Sequence, residues 1–260
     1  MKVAYLCTQD ISNQIFIDTF KKYNLEIEVI IENNKKNRNR TIKKKFHKLN
    51  LFEKFLFPLD LLSLVIYKKR INTFLKKKLN LVSEEINQYN VSRIQDINSQ
   101  EVYKKISEFN PDLVFVRGTT IIKEPLINHG YKYFLNIHGG IVPNYRNVHG
   151  QFWSYYFRDY ENMGSSILHI TKGIDNGNIA ITSPLDEAPK DLKNLHLETL
   201  ILSNKLLDEL ISKMTIENKL DSYPQNSDKK AFYGSTPRFI DFLRLITKKI
   251  LSFNSWNKIN

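Results

Sequence analysis

The chain has 260 residues, 42% of them hydrophobic, and a formal charge of +12. That length suits one large domain, or one domain with a small appendage, around a substantial core, and the composition excludes disorder throughout. Cys7 is the single cysteine, which excludes an internal disulfide and a cysteine-based zinc site and fits a reducing compartment.

The opening MKVAYLCTQD has too short an apolar run for a signal peptide, and no small-residue cleavage site follows. Residues 3–7 predict a buried first strand, with Cys7 as a structural thiol. Asp10 or Ser12 can cap a helix whose apolar face is Ile11, Ile15, Phe16, Phe20 and Tyr23. Residues 27–31 predict a second strand, and strand–helix–strand implies a parallel sheet.

Residues 35–85 break this pattern. Between residues 35 and 78 there are 15 Lys and Arg against Glu53 and Asp60, a local charge of +13, while the rest of the chain sums to −1. Two basic clusters flank an apolar stretch at 49–66, and both flanks read as helical, so the segment is expected to be a basic helical insertion. The stretch 51–67 carries Glu53, Lys54, Pro58 and Asp60, too short and polar to span a bilayer. A solvated helical hairpin, a nucleic-acid contact and an anionic membrane surface all fit such a segment.

Regular organisation resumes with a strand at 91–94. Asn98 with Glu101 reads as a capping box for a helix with Val102, Ile106 and Phe109 on its apolar face, ended by Asn110-Pro111. Strands are expected at 113–116, 133–137, 166–170 and 179–183, then a long helix at 191–214. From Leu220 the tail reads as a turn and a final amphipathic helix near 237–251. The fold class is therefore α/β: a Rossmann-like, mostly parallel sheet flanked by helices, with a basic helical insertion and a helical C-terminal tail.

Eight of the nine glycines lie between Gly118 and Gly177. The turn after the first strand thus lacks the glycines of a dinucleotide fingerprint or a P-loop, and NAD or ATP chemistry there is not expected. Asn136 and His138 sit at the end of the fifth strand, where alternation puts both on one face above a carboxyl-edge crevice. Asp175 follows 37 residues later in Gly173-Ile174-Asp175-Asn176-Gly177. Taken alone, these residues read more readily as structural, a hydrogen-bonded strand-end His and a turn Asp, with catalysis the lesser reading.

The run FLNIHGGIVPNYRNVHGQFW, followed by KGIDNGNIA, resembles the signature of the folate-dependent formyltransferases: Asn-x-His, a Pro-x-Tyr-Arg loop, a nearby Trp, and a Gly-x-Asp-x-Gly loop some three dozen residues on. Asn136, His138, Pro143, Tyr145, Arg146, Trp153, Gly173, Asp175 and Gly177 match in order. PDLVFVRGTTIIK, residues 111–123, resembles the strand and loop before it. The likeness is firm over 94–185, weaker over 1–32 and poor over 35–85. Asn147 stands where the family commonly has Gly, and tolerates a left-handed turn. Gly140 stands where many relatives have Ser.

The resemblance implies 10-formyltetrahydrofolate as donor, an amine as acceptor and no metal. It implies that Asn136 stabilises an oxyanion, that His138 receives the amine proton or helps hold the oxyanion, and that Asp175 favours the charged imidazole and orients it or a water. It assigns Arg117, Gly118, Thr119 and Ile121, with Asp175, to the folate. Tyr145, Arg146 and Trp153 are placed on the acceptor side, core packing being the other reading of Trp153. Residues 1–185 become a catalytic domain holding the insertion, with 186–260 a helix and tail packed on it. Among acceptors, glycinamide ribonucleotide calls for a phosphate loop after the first strand, and initiator tRNA for a barrel-like C-terminal domain. The short tail and the GGIVPNYRNVHG loop look most like enzymes that formylate nucleotide-linked amino sugars for surface polysaccharides such as lipopolysaccharide O-antigen. An RNA-binding or RNA-modifying relative, or another small amine acceptor, is the alternative, with nucleic acid the less favoured partner. The expectation is a cytoplasmic enzyme, with a homodimer contact or a weak contact with the inner membrane surface through residues 35–85.

Overall fold

The computed structural model describes residues 1–33, 42–81, 90–226 and 228–256, with side chains as far as residue 247. The parts of the basic insertion at 35–41 and 82–85 lie outside the described residues. The elements are β1 (Lys2–Thr8), a 3-10 turn (Ile11–Asn13), α1 (Gln14–Lys22), β2 (Glu26–Glu32), α2 (Leu51–Lys78), β3 (Val91–Ile94), α3 (Gln100–Phe109), β4 (Leu113–Arg117), α4 (Glu124–Ile127) and β5 (Tyr133–His138). They continue with β6 (Tyr145–Asn147), α5 (Gly150–Phe157), β7 (Gly164–His169), β8 (Ile179–Pro184), α6 (Leu192–Glu217), β9 (Phe232–Gly234) and α7 (Phe239–Trp256).

Seven strands form one sheet in the order β3-β2-β1-β4-β5-β7-β8. All neighbours from β3 to β5 are parallel, and β7 runs antiparallel to both β5 and β8. The sheet is buried on both faces, as such a layered parallel sheet must be. Along β1, Val3, Tyr5 and Cys7 join one core with Phe16, Phe20, Phe115 and Leu207. Ala4 and Leu6 point the other way, into a second core with Val102, Ile106 and Val114. The two-residue period of a strand produces this division. Burial pushes the Cys7 thiol up to about 12, against the nearby charge of Arg117, so Cys7 is an inert packing residue.

Strand order reverses between β1 and β4, where Cys7 lies beside Arg117. A crevice opens outside the carboxyl ends of strands at such a point. On its far side Asn136 lies between Val116 and Leu168.

Local capping differs from expectation in one place. Ser99, not Asn98, caps α3 by accepting from Val102 N at 3.4 Å. The Asn98 amide instead accepts from Lys123 N at 2.8 Å and donates to Ile121 O at 3.0 Å, which ties down the loop after β4. The tail also holds a strand that its polar composition hid: β9 pairs in parallel with β6.

Within the insertion, residues 42–47 are helical, and α2 is a single helix running through Pro58. Asn50 and Glu53 close a capping box at its start. Phe57, Ile71 and Leu75 bury its inner face. Among the described residues no helix is long and apolar enough to cross a membrane.

Candidate active site

The site forms where β5 ends. Asn136 and His138 project to the same side, and the loop after β7 brings Asp175 to meet them. Asp175 has φ +45°, a left-handed geometry that Asp adopts more readily than most residues. Its Oδ1 accepts from Asn136 Nδ2 at 2.9 Å, and its Oδ2 accepts from Asn147 N at 2.7 Å. The same Oδ2 lies 3.7 Å from His138 Nδ1. That separation is too long for a hydrogen bond. Sequence reasoning named these three residues, and the structure brings all three together.

The ring of His138 is oriented from behind. Its Nε2 lies 2.8 Å from Tyr145 O. A carbonyl oxygen only accepts, so Nε2 carries hydrogen and Nδ1 holds the lone pair in the neutral ring. The proton-accepting atom therefore faces Asp175. Ser165 Oγ donates to His138 O at 2.9 Å, and Ser166 Oγ donates to Gly140 O at 2.8 Å, so hydroxyls of β7 pin the backbone of the site. A Cβ built on Gly140 would lie 3.0 Å from His138 Nε2 and 3.1 Å from Tyr145 O. Any larger residue there would push on the ring or on the carbonyl that orients it.

Asn147 has φ +68°, as its tolerance of the left-handed region allows, and its amide donates to Gly234 O at 2.8 Å. Its backbone N–H is thereby turned toward Asp175. Beside it, Arg146 donates to Gln225 Oε1 at 2.7 Å and to Tyr233 Oη at 2.9 Å. Gln225 donates in turn to Asp175 O and Gly177 O, both at 2.8 Å. One amide thus links the Arg146 strand to the Asp175 loop. Sequence reasoning missed Gln225, Ser165 and Ser166. Nothing local marks Gln225, which sits 50 residues beyond Asp175.

The structure turns Tyr145 and Trp153, expected on the acceptor side with core packing the other reading of Trp153, inward. Both are buried in an aromatic cluster with Phe152 and Tyr156. The Tyr145 hydroxyl donates to Asp159 at 2.8 Å, and the Trp153 indole donates to Ser235 O at 2.8 Å. Their large apolar rings gain more from this core than from water. Arg146 is half-buried beside them.

Arg117, Gly118, Thr119 and Ile121 line the other side of the crevice. The Arg117 guanidinium lies over the Phe16 ring and donates to Asn13 Oδ1 at 2.7 Å. Gly118 has φ +71°, with Thr8 Oγ1 3.3 Å from a built Cβ, so a side chain would be both strained and crowded. Ile121 is 67% exposed, an apolar side chain on an open shelf.

Asp10 and His196 both feel the charge of Arg117, and His149 neighbours His196. Burial pushes the Asp10 carboxyl up, but Arg117 and two hydrogen bonds from Ser12 win and hold it below the usual range. Burial lowers His196 to about 3, with the neighbouring His149 adding to the effect. Burial and then Lys68 lower His149 to about 4. Both rings are neutral at physiological pH. Among the described residues no group of three or more His, Cys, Asp or Glu is arranged to hold a metal ion.

Comparison with known proteins accords with this geometry. A family model described as formyl transferase matches residues 1–194. A methionyl-tRNA formyltransferase of Finegoldia magna is 27% identical over 142 residues, covering 53% of this chain and 44% of the relative. One of Leptospira interrogans is 28% identical over 179 residues, covering 62% and 53%. The chain thus spans about half the length of the curated relatives it matches. In fold it resembles a sugar N-formyltransferase from a Shewanella species (TM-score 0.57, 17% identity, 90% of this chain and 76% of that one). It also resembles a phosphoribosylglycinamide formyltransferase of Anaplasma phagocytophilum (TM-score 0.58, 14% identity, 90% and 99%).

Proposed function

The chain belongs to the formyl transferase family, and we propose that it transfers a formyl group from 10-formyltetrahydrofolate to the amine of a nucleotide-linked amino sugar. The observation that carries this reading is the Asn136–Asp175–His138 arrangement, with the basic Nδ1 of His138 turned toward Asp175. The folate would supply the formyl group. Residues 117–121 fit its flat ring: Gly118 allows close approach, Ile121 offers an exposed apolar surface, and Asn98 steadies the loop.

The chain's own groups then have distinct tasks. Asn136 uses its amide to stabilise negative charge on the carbonyl oxygen as the amine attacks. His138 Nδ1 would take the proton that the amine must lose and pass it to the folate nitrogen as the bond from that nitrogen to the formyl carbon breaks, releasing tetrahydrofolate. Asp175 favours the resulting imidazolium by charge, and holds Asn136 and the Asn147 loop in place.

The turn after β1 supports a sugar acceptor over a ribonucleotide bound there. Asp10 fills the start of that turn as a carboxylate capping Ser12, and a phosphate at the same place would meet like charge. A second reading, methionyl-tRNA as acceptor, is favoured by the two sequence relatives and by the local charge of +13 between residues 35 and 78. Offering the enzyme 10-formyltetrahydrofolate with a panel of nucleotide-linked amino sugars, and separately with methionyl-tRNA, distinguishes them. The expected result is a formamide of one amino sugar by mass spectrometry. Formylation of methionyl-tRNA alone would overturn the sugar assignment.

A further inference from the structure

We propose that the outward face of α2 is a docking surface for an anionic lipid bilayer. Leu51, Phe52, Phe55, Leu59, Leu62 and Ile66 recur at three- and four-residue spacing, so they share one side of the helix. They are exposed, with Leu51 at 87%, Phe52 at 70% and Phe55 at 78%. The opposite side is committed to the protein. Phe57, Ile71 and Leu75 are buried there, Asp60 accepts from Phe239 N at 2.8 Å, and Glu53 pairs with Arg238 at 3.4 Å. The apolar side therefore cannot turn inward without breaking these contacts. It extends about 22 Å along the helix.

The same side continues into Lys69, Arg70, Lys76 and Lys77, all exposed. The helix is thus apolar in its first half and cationic in its second half on a single face. Both acids of α2, Glu53 and Asp60, are engaged on the inward side, which leaves an outward surface of one sign. The helical segment before α2 adds exposed Lys43, Lys44, Lys45 and Lys48.

This charge pattern selects the occupant. A second copy docked on the apolar half would bring two strongly cationic surfaces together, and like-charge juxtaposition opposes association. A nucleic acid would satisfy the lysines and leave the aromatic half in water. An anionic bilayer answers both halves: apolar side chains enter the headgroup boundary, and lysine stems reach along it to phosphate oxygens. No part of the face lies in the Asn136–His138–Asp175 centre, so the inference stands apart from the proposed reaction.

Sedimentation with vesicles of phosphatidylcholine, with and without phosphatidylglycerol, tests it on the full chain at low salt. The expected result is pelleting with anionic vesicles only, reversed by high salt. Two double variants, Phe52→Glu with Phe55→Glu and Lys69→Glu with Arg70→Glu, should each lower partitioning roughly tenfold or more with unchanged thermal unfolding. Equal pelleting with both vesicles, or pelleting with neither, would overturn the proposal. So would a dimer in sedimentation equilibrium that the Phe52 and Phe55 variant converts to monomer, which would give the face to a second copy. RNA binding lost in the Lys69 and Arg70 variant, with vesicle binding intact in both, would give the basic half to nucleic acid.

Discussion

A single hydrogen bond decides which atom of His138 can act. Tyr145 O occupies Nε2, so the proton-accepting role proposed for His138 would fall to Nδ1 beside Asp175. Asn136 is already donating to Asp175 in this structure, and its second amide hydrogen remains available for an oxyanion. Asn136→Ala should therefore lower kcat by roughly 100- to 1,000-fold, the usual cost of losing such a donor. Gln225 touches none of the proposed reacting groups and works through the Asp175 loop. Gln225→Ala should lower kcat roughly tenfold or more by loosening that geometry, with KM for the folate changed less. Steady-state kinetics separates the two parameters. An unchanged kcat with a lowered melting temperature would leave Gln225 a purely structural residue.

At the scale of elements, the loop from β5 to α5 works as a rigid frame. Asn147 at φ +68° turns its N–H to Asp175 and its side chain to Gly234. Asn147→Gly should keep the turn and lose only the side-chain bond, whereas Asn147→Val should cost about 1–2 kcal/mol more in urea unfolding, because a branched residue resists that conformation. Equal losses for both would mean the backbone geometry is not limiting. Much of this frame was legible beforehand. Strand alternation placed Asn136 and His138 together, and glycines flanking Asp175 announced a loop able to deliver it. Other parts were hidden for physical reasons. β9 is three residues long and pairs with β6 across 87 positions, so no local period announces it. Tyr145 read as a binding residue, and Trp153 as either a binding or a core residue, because aromatic side chains serve ligands and cores equally, and the fold buries both in one cluster. Ser99 displaced Asn98 as the cap of α3 because the Asn98 amide is used by Lys123 and Ile121, a demand that arises only in three dimensions.

At the scale of the whole molecule, two imidazoles are held neutral by burial. His149 is held down to about 4 in the folded chain, whereas an unfolded histidine titrates near 6.5. Below about 6.5 the unfolded state takes up this proton first, so stability falls as pH drops and the contribution levels off beneath about 4. His196, lowered to about 3, acts in the same direction. His149→Asn keeps a residue suited to φ +59° and removes one titration. Its unfolding free energy should therefore decline less steeply between pH 6.5 and 4, by up to about 1.4 kcal/mol per pH unit. Parallel curves for the two proteins, from urea titrations across that range, would show that His149 is not held neutral. The proposed reaction centre is tested most directly by turnover. Formyl transfer from 10-formyltetrahydrofolate should be measured for the wild type, His138→Asn and Asp175→Asn, each first shown to unfold at the wild-type temperature. Both substitutions should abolish most of kcat; near-wild-type kcat in both folded variants would contradict a centre built on Asn136, His138 and Asp175.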